Sequence, residues 1–365
     1  MFVRVLLFLL ITKIFPIFSC ELDNGFYKYK DSNYIAIPPS SINHEDYDVI
    51  LIGETHNNQL HHHFQSFLLS NFITEGNKYS LALEMIEKNK KLFIDQWMQN
   101  LISDQDFKKK IEWDTFWGFQ WDDYLTILNI AKFNSVNVNG INTSQKTINF
   151  ISKYGLNEAI KKKIINDKPF AINENYRNRL LSYFDQHQSL SNFDKQKFEF
   201  FLESQTYWDY VFAKNIVDLF NDDTKVISIS GTGHIEYENG ISWQINKINP
   251  NIKVLTIALV NYINNCENEK ISDYVFVGSN YKETNTIGIT IIDSEEGVKV
   301  ADVKNKSIAF DIDIKPGDTI INIGGRKVNN SFDVSFLLNI YDRPIWIPVE
   351  IKRNNSNLIK IIKFK

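Results

Sequence analysis

The chain has 365 residues, of which 43% are hydrophobic and 14% aromatic, enough apolar side chain for two folded domains and too much for a disordered chain. Its 40 Lys and Arg residues against 44 Asp and Glu residues give a formal net charge of −4. This balance offers no broad positive surface for a phosphate backbone, so nucleic acid is not an expected partner.

Residues 1–20 have the composition of a secretory signal. One early arginine, Arg4, precedes an apolar run over residues 5–11. Lys13 and Pro16 interrupt the apolar sequence that follows, and a helix that crosses a bilayer needs about 20 apolar residues. The segment therefore predicts export rather than a membrane span.

The signal ends in Ile17-Phe18-Ser19-Cys20, which resembles the lipobox that bacteria cleave before a cysteine that they then acylate. We therefore predict lipidation at Cys20 and an exported protein that a lipid anchors to the bacterial cell envelope, at the outer membrane or the periplasmic face. The alternatives are an ordinary signal peptide with a chance cysteine, an uncleaved anchor, and a disulfide between Cys20 and Cys266.

Beyond the signal, short apolar runs alternate with longer amphipathic stretches. This alternation predicts an α/β domain in which helices cover a mostly parallel sheet. The predicted strands cover residues 48–52, 79–84, 136–141, 225–230 and 253–260. The predicted helices cover residues 59–72, 88–101, 121–133 and a longer region, 173–220. We assign residues 21–282 to this domain.

Polar side chains follow three of the predicted strands at the point where each strand ends. The first strand leads into Glu54 and His56, another ends in Glu84, and a third leads through Gly231-Thr232-Gly233 into His234. In open α/β sheets ligands bind outside the carboxyl ends of the strands, so we expect these side chains to share one crevice. Imidazole and carboxylate groups together suit a divalent transition metal or a haem edge.

A cluster of aromatic residues surrounds Gly118 between two predicted helices. Its members are Trp113, Phe116, Trp117, Phe119, Trp121 and Tyr124. Most such clusters belong to a core. Because this one lies between helices, it can also line a pocket for a flat ligand, and we assign Trp121 and Tyr124 to the crevice wall.

Three consecutive histidines, His61, His62 and His63, follow the first strand end. Three successive helical residues point in three directions, so they cannot all face one site. His63 lies four residues past Gln59 and can turn back toward the strand end, so we include it in the predicted crevice. We expect His61 and His62 on the solvated helix surface.

The same segments carry a family resemblance. They are, in chain order, Gly53-Glu54-Thr55-His56-Asn57-Asn58 with the three histidines, Leu83-Glu84-Met85, Trp121-Asp122-Asp123-Tyr124 and Gly231-Thr232-Gly233-His234. In this order and at about these separations they resemble the ChaN family of haem-binding proteins, within the Tiki superfamily, over nearly all of residues 47–281.

The resemblance implies haem binding connected with iron acquisition, in a homodimer that holds haem between its protomers and ligates the iron through a tyrosine. We weigh Tyr124, Tyr237 and Tyr262 for that ligand. Gln205 and Asp209 match a polar helical segment of the family, so the resemblance also places them at the crevice.

Two basic segments could contact a ligand or could form ordinary surface contacts. Arg177 and Arg179 suit haem propionates because a guanidinium group pairs with a carboxylate, although surface ion pairs are more common. Lys161-Lys162-Lys163 is expected to form a solvated helix face.

A hydrolase is the alternative from a different functional class, because the Tiki superfamily also contains hydrolases that use the same histidine and glutamate positions. In that case His56, Glu84 and His234 hold a divalent metal, and Glu54 or Glu84 acts as the general base. We favour a binding protein. The sequence has no Ser-His-Asp motif, no phosphate-binding glycine-rich loop and no Cys-x-x-Cys pair.

After about residue 281 the sequence changes to short β-rich runs separated by turns, and we assign residues 283–365 to a small β-rich domain. It contains Gly297-Val298-Lys299-Val300, then Lys315-Pro316-Gly317-Asp318-Thr319-Ile320, then Ile323-Gly324-Gly325, an order that resembles a bacterial PDZ domain. Pro316-Gly317 favours a tight turn that Asp318 can cap before a buried strand over residues 319–323.

In PDZ domains a C-terminal peptide adds as a strand beside a carboxylate-binding loop. That loop corresponds here to Thr286-Ile287-Gly288-Ile289, so the expected partner is the C-terminus of a peptide or protein. The chain departs from the family at Ile312 and Asp313, where alanine and glycine are usual.

Overall fold

The structure is a computed structural model that describes residues 22, 24–73, 78–186, 194–263, 269–278, 286–294, 297–328, 331–339, 345–354 and 356–364. The chain divides into two compact units, Met1–Ser279 and Asn280–Lys365. The predicted boundary between residues 282 and 283 and the predicted signal over residues 1–20 lie outside the described residues, and both stay predictions.

Within the residues that the structure describes, the first unit contains one eight-stranded sheet. Its strands are β1 (Gly25–Lys30), β2 (Asn33–Ala36), β3 (Val49–Glu54), β4 (Tyr79–Glu87), β5 (Asn137–Asn142), β6 (Lys225–Gly231), β7 (Val254–Val260) and β8 (Tyr274–Val277). Their order is β2-β1-β8-β7-β3-β6-β4-β5, and all neighbours from β8 to β5 are parallel. All five predicted strands are present, which confirms the predicted fold class.

Nine α-helices accompany this sheet in the described residues. They are α1 (Gln59–Phe72), α2 (Lys91–Met98), α3 (Asp104–Lys110), α4 (Trp113–Phe116), α5 (Trp121–Phe133), α6 (Gln145–Lys161), α7 (Glu174–Gln186), α8 (Lys195–Leu219) and α9 (Gly240–Ile248). The predicted helix over residues 88–101 is shorter, because a 3-10 turn, Lys88–Lys90, precedes α2. The long region predicted as helical contains two helices, α7 and α8.

Strand β3 lies at the centre of the sheet and is buried over all six residues. Ile50 and Ile52 pack with side chains of α1 and α5, whereas Val49 and Leu51 pack with Phe212 of α8. A parallel strand that is covered on both faces needs such an uninterrupted apolar run. Each aliphatic side chain buried here stabilises the fold by about 1.5–3 kcal/mol.

Helix α1 is fixed to the sheet through its first turn. The Oδ1 atom of Asn58 accepts hydrogen bonds from the backbone N–H groups of Leu60 (2.9 Å) and His61 (3.3 Å), which caps the helix. Its Nδ2 atom donates to Asn261 Oδ1 (2.7 Å) and to the carbonyl of Gly278 (2.8 Å). The cap therefore ties the histidine-bearing helix to the ends of β7 and β8.

The end of β3 lies against the turn that follows β6. A Cβ atom at Gly53 would come within 2.8 Å of Ile235 Cδ1 and 2.9 Å of Thr232 Cα. Only glycine fits this approach, which brings the two strand ends together.

The second unit has its own sheet and core. Its strands are β9 (Ile289–Ser294), β10 (Gly297–Val303), β11 (Thr319–Ile323), β12 (Arg326–Lys327), β13 (Ile345–Arg353) and β14 (Ser356–Phe364), with the helices α10 (Ile308–Asp311) and α11 (Ser331–Asn339). The main path of the sheet is β14-β13-β11-β10-β9, and β12 pairs with β11. Strand β11 has the predicted bounds, and the β-rich architecture is confirmed.

The turn before β11 is held by a buried carboxylate, as its sequence predicts. Asp318 is 1% exposed and accepts a hydrogen bond from the backbone N–H of Lys315 (2.8 Å) and two from the Arg353 guanidinium (2.6 and 2.8 Å). Asp313, where the family has glycine, adopts a left-handed φ of 60°. The departure therefore keeps the backbone shape that glycine usually provides after a helix.

Among the helices that the structure describes, none combines the length and the hydropathy that crossing a membrane requires.

Candidate functional site

The carboxyl ends of β3, β4 and β6 meet, as the sequence predicts. Glu84 is 2% exposed, and its Oε2 atom accepts a hydrogen bond from the backbone N–H of Gly231 (2.7 Å). Gly231 in turn lies against the ring of His56, because a Cβ atom there would sit 3.0 Å from His56 Cε1. The structure thus brings Glu84, His56 and the Gly231–His234 turn into one crevice.

Glu54 is buried below this crevice and accepts hydrogen bonds on both oxygens. Its Oε1 atom is 2.9 Å from His56 Nδ1 and 2.5 Å from the Tyr124 hydroxyl, and its Oε2 atom is 2.7 Å from Gln65 Nε2. Burial raises the pKa of this carboxyl, but the hydrogen bonds from His56 and His62 outweigh burial and lower it to about 2. Glu54 is therefore ionised at neutral pH.

His56 is held in one tautomer by Glu54. A carboxylate only accepts hydrogen bonds, so the ring carries its proton on Nδ1 and, when neutral, has a lone pair on Nε2. The side chain is 28% exposed and lies beside Trp117 and Phe119, with ring centroids 4.6 and 5.0 Å away. Among the described residues, His56 Nε2 has no hydrogen-bond partner, so this atom is available to a ligand.

His234 repeats this arrangement on the other side of Glu84. Its Nδ1 atom is 2.6 Å from Asp209 Oδ1, and its Nε2 atom is 3.7 Å from Glu84 Oε1. Asp209 lies on α8 with no exposure, and its second oxygen accepts a hydrogen bond from the Tyr176 hydroxyl (2.6 Å). Burial opposes ionisation of His234, but Glu84 and then Asp209 raise the pKa of its imidazole to about 9.

The three consecutive histidines differ from the prediction. His61 and His62, expected on the solvated surface, are buried at 0% and 1% exposure, whereas His63, expected in the crevice, is exposed. The Asn58 cap fixes the phase of α1 so that His62 faces Glu54 and His61 faces the end of β8. The prediction considered the local helix alone. It therefore assigned His63 to the crevice side and His62 to the solvent side, the reverse of what the structure has.

The two aromatic side chains predicted to line the crevice belong to the core. Trp121 is 6% exposed and packs edge-on against Trp113 (4.9 Å), and Tyr124 is 3% exposed. Tyr124 reaches the site only through its hydroxyl, which donates to Glu54. The partly exposed rings beside His56 are those of Trp117 and Phe119.

The polar residues predicted on α7 and α8 separate into two groups. Asp209 contacts His234, and Gln205, one turn earlier on α8, is partly buried. Arg177 forms an ion pair with Glu199, and Arg179 lies over the ring of Tyr237 and pairs with Glu269. Both arginines therefore make the intramolecular contacts that the ordinary explanation expects.

The lysine run on α6 and the turn after it also follows the ordinary explanation. Lys161 and Lys162 are exposed and lie 3.6 and 4.0 Å from Glu158. These contacts are those of a solvated helix face.

The three tyrosines weighed as iron ligands differ in accessibility. The Tyr124 hydroxyl is engaged by Glu54, and burial raises the pKa of this phenol well above its usual value. Tyr237 lies beneath Arg179, whereas Tyr262, just past β7, is 71% exposed.

No group of three or more His, Cys, Asp or Glu side chains is arranged to hold a metal ion in the part of the chain that the structure describes. His56, Glu84 and His234, the predicted metal set, are neighbours without forming such a group.

Sequence reasoning missed Gln65 and Tyr176 as parts of this site, and it placed Trp117 and Phe119 in the aromatic cluster without assigning them to the crevice wall. Gln65 lies three residues past His62, at helical spacing, so the phase of α1 would have identified it. Tyr176 gives no local signal, because its contact with Asp209 joins two separate helices.

The raised pKa of His234 makes its contribution to stability depend on pH. The imidazole has a pKa of 6.5 when unfolded and about 9 when folded, so its stabilisation is complete below pH 6.5 and is lost as the pH rises through 9. Near pH 6 we expect the unfolding free energy of wild type to be higher than that of His234→Gln by an amount on the order of 3 kcal/mol. This difference should decrease toward pH 9.

Urea denaturation followed by tryptophan fluorescence measures this difference, because every tryptophan except Trp346 lies in the first unit. The exposed His63→Gln serves as the control. A difference between wild type and His234→Gln that stays constant from pH 6 to pH 9 would contradict the assignment.

Comparisons with known proteins agree with this division of the chain. A family model described as haem-binding uptake, Tiki superfamily, ChaN matches residues 43–245, and a PDZ domain model matches residues 285–359. No curated protein matches the chain.

Three solved structures are similar to parts of the chain. ChaN of Campylobacter jejuni, solved with cofacial haem, is 21% identical, covers 69% of this chain and 96% of its own, and has a TM-score of 0.54, which shows the fold alone. The PDZ domain of HtrA3 bound to a phage-derived ligand is 23% identical over 21% of this chain and 82% of its own, with a TM-score of 0.20. A serine endoprotease from Yersinia pestis is 27% identical over 21% of this chain and 27% of its own, with a TM-score of 0.19.

The last two structures have TM-scores too low to carry an argument, whereas the ChaN family model covers more than half of the chain. The chain therefore belongs to the ChaN family of haem-binding proteins, within the Tiki superfamily, and carries a PDZ domain in its C-terminal part.

Proposed function

We propose that this protein binds haem in the crevice at the carboxyl edge of the parallel sheet, as part of haem or iron uptake at the cell envelope. One observation carries the proposal. The imidazoles of His56 and His234 are both oriented by buried carboxylates and flank Glu84 beside partly exposed aromatic rings, in a member of a haem-binding family.

The residues of the crevice suit haem in chemistry. Trp117 and Phe119 provide flat apolar surface for a macrocycle, and imidazole nitrogens and phenol oxygens are established ligands of haem iron. Bound haem would supply a ferric centre that takes such a ligand. His56 offers an unpaired Nε2 atom, whereas His234, whose raised pKa keeps it protonated at neutral pH, offers a positive charge that Asp209 keeps in place.

Tyr262 is the tyrosine best suited to ligate iron. It follows β7, whose carboxyl end lies beside that of β3, and its side chain is exposed. An exposed phenol at this edge can reach a haem that a second copy of the chain shares. A haem-linked homodimer is therefore part of the proposal.

Haemin added to the full chain should give an intense, shifted visible absorption band and a dimer by sedimentation. His56→Ala combined with His234→Ala should weaken haemin binding by about tenfold or more. The variant should be less stable than wild type but stay folded, because neither ring is part of an apolar core cluster, and circular dichroism checks this. Tyr262→Phe should alter the position of the band, because it removes the proposed iron ligand. Titration by absorption measures each effect.

The exposed residues His63 and Tyr154 provide matched controls, and His63→Ala and Tyr154→Phe should bind haemin as wild type does. Suppose instead that wild type shows no change with haemin but retains one tightly held divalent metal, which the double histidine variant loses. The metal-dependent hydrolase would then replace the haem-binding protein as the proposed function.

The PDZ domain is proposed to bind a C-terminal peptide along β9, which is an edge strand of its sheet. The proposed loop precedes β9, with Ile287 buried and Gly288 at a left-handed φ of 77°. A Cβ atom at Gly288 would come within 2.4 Å of Ser307 Cβ, so the loop depends on glycine.

A library of peptides with free C-terminal carboxylates tests this role by fluorescence anisotropy. The best binders should weaken by about tenfold when amidated, because the loop then loses a charge-assisted contact. Gly288→Ala should reduce binding as well. Gly325→Ala, which has a similar φ of 80° and no atom near its Cβ, is the control. Equal binding of amidated and free peptides would contradict the proposed mode.

The envelope location and the lipid anchor rest on the lipobox-like sequence that ends at Cys20. Cys20→Ser should move the protein from the membrane fraction to the soluble fraction, because no acyl chains are then added. Fractionation after labelling with a fatty-acid analogue measures this. A wild-type protein that is already soluble, with a free amine at its mature N-terminus, would overturn the anchor.

A further inference from the structure

His62 is buried at 1% exposure on α1, between Glu54 and the backbone of His56. Its Nε2 atom lies 3.1 Å from the carbonyl oxygen of His56. Its Nδ1 atom lies 3.2 Å from Gln65 Oε1 and 3.2 Å from Glu54 Oε2. Both ring nitrogens thus face oxygen atoms.

The orientation of Gln65 is set by Glu54. Its amide nitrogen donates to Glu54 Oε2 (2.7 Å), which leaves the amide oxygen toward His62. All three neighbours of the ring nitrogens therefore accept hydrogen bonds and none donates. A neutral imidazole has a single N–H group and would leave one nitrogen lone pair against an oxygen, whereas an imidazolium satisfies both contacts.

The adjacent His61 provides an internal contrast at the same depth. Its Nδ1 atom accepts a hydrogen bond from the backbone N–H of Thr55 (3.0 Å), and its Nε2 atom lies 3.0 Å from the carbonyl of Gly278. One proton satisfies this ring, and burial lowers the pKa of His61 to about 4. The different partners of the two rings thus indicate different charges.

We propose that His62 is an imidazolium at neutral pH, that its charge stabilises buried, ionised Glu54, and that through Glu54 it positions the ring of His56 at the crevice. The proposal rests on the proposed function only where it takes this crevice as the ligand site.

The groups around His62 favour the charged form. Glu54 faces it from β3, and Tyr124, with its ring centroid 4.4 Å away, and Asp123 face it from α5. His56, His61 and His63 are nearby residues able to carry positive charge. Burial opposes ionisation, but both ring nitrogens face oxygen acceptors, and Glu54 Oε2 supplies a negative charge 3.2 Å from Nδ1. Tyr124 is a neutral phenol, so Glu54 is the principal counter-charge.

NMR of the full chain without haemin, with ¹⁵N-labelled histidine, tests the charge directly. Near pH 7 both ring nitrogens of His62, assigned by comparison with His62→Gln, should have protonated chemical shifts. His61 should show one protonated and one unprotonated nitrogen. An unprotonated ring nitrogen on His62 near pH 7 would overturn the proposal.

A second arm tests whether Glu54 is the cause. In Glu54→Gln, His62 should lose its proton near pH 7, because its counter-charge is gone. Glu84→Gln is a matched control, since Glu84 is equally buried at a strand end and is not among the neighbours of the His62 ring. A neutral His62 with only a packing role would show the same ring-nitrogen shifts in wild type and Glu54→Gln.

A third arm tests positioning. His62→Gln should weaken haemin binding by about tenfold, as expected for a group that orients a ligand-facing ring, whereas His63→Gln should not. Wild-type affinity in His62→Gln would overturn the positioning role. If wild type itself does not bind haemin, the proposed function fails, and the NMR result still decides the charge of His62.

Discussion

Burial of the Glu54 carboxylate is the constraint on which the crevice depends. An ionised carboxyl removed from water is destabilising by several kcal/mol unless hydrogen bonds replace its hydration. His56, Gln65, His62 and Tyr124 provide that replacement from the turn after β3, from α1 and from α5. One side chain thereby fixes the relative positions of three elements, and removal of any donor would leave part of a buried charge unpaired.

The second half of the crevice also contains a buried carboxylate that hydrogen bonds satisfy, but its partners come from different elements. Asp209 is buried on α8, and His234 and Tyr176 satisfy one oxygen each. In both halves the carboxylate fixes Nδ1 and leaves Nε2 toward Glu84 or open space. A ligand therefore meets rings that are already oriented, so little conformational entropy remains to be lost on binding.

The sequence predicts the parts of this site that local chemistry determines. Apolar runs that end in Gly53-Glu54 and Gly231 specify strands and the close approach of their ends, and the structure has both. The direction of the side chains on α1 was less predictable. Asn58 sets the rotation of this helix so that His62, not His63, faces Glu54, and it does so through a contact with Asn261, about 200 residues away in the sequence. Strands β1, β2 and β8 also escaped prediction. β2 and β8 have only four residues each, and β1 and β2 add to one edge of the sheet through antiparallel pairing.

Helix α7 lies outside the crevice but is connected to it through Tyr176. The Tyr176 hydroxyl donates to Asp209, which in turn holds His234, so the orientation of this ring depends on a residue that is itself buried on α7. Under the proposed function, substitutions on α7 would therefore change haem affinity while every crevice side chain stays the same. Variant screens confined to the lining residues would not sample that route.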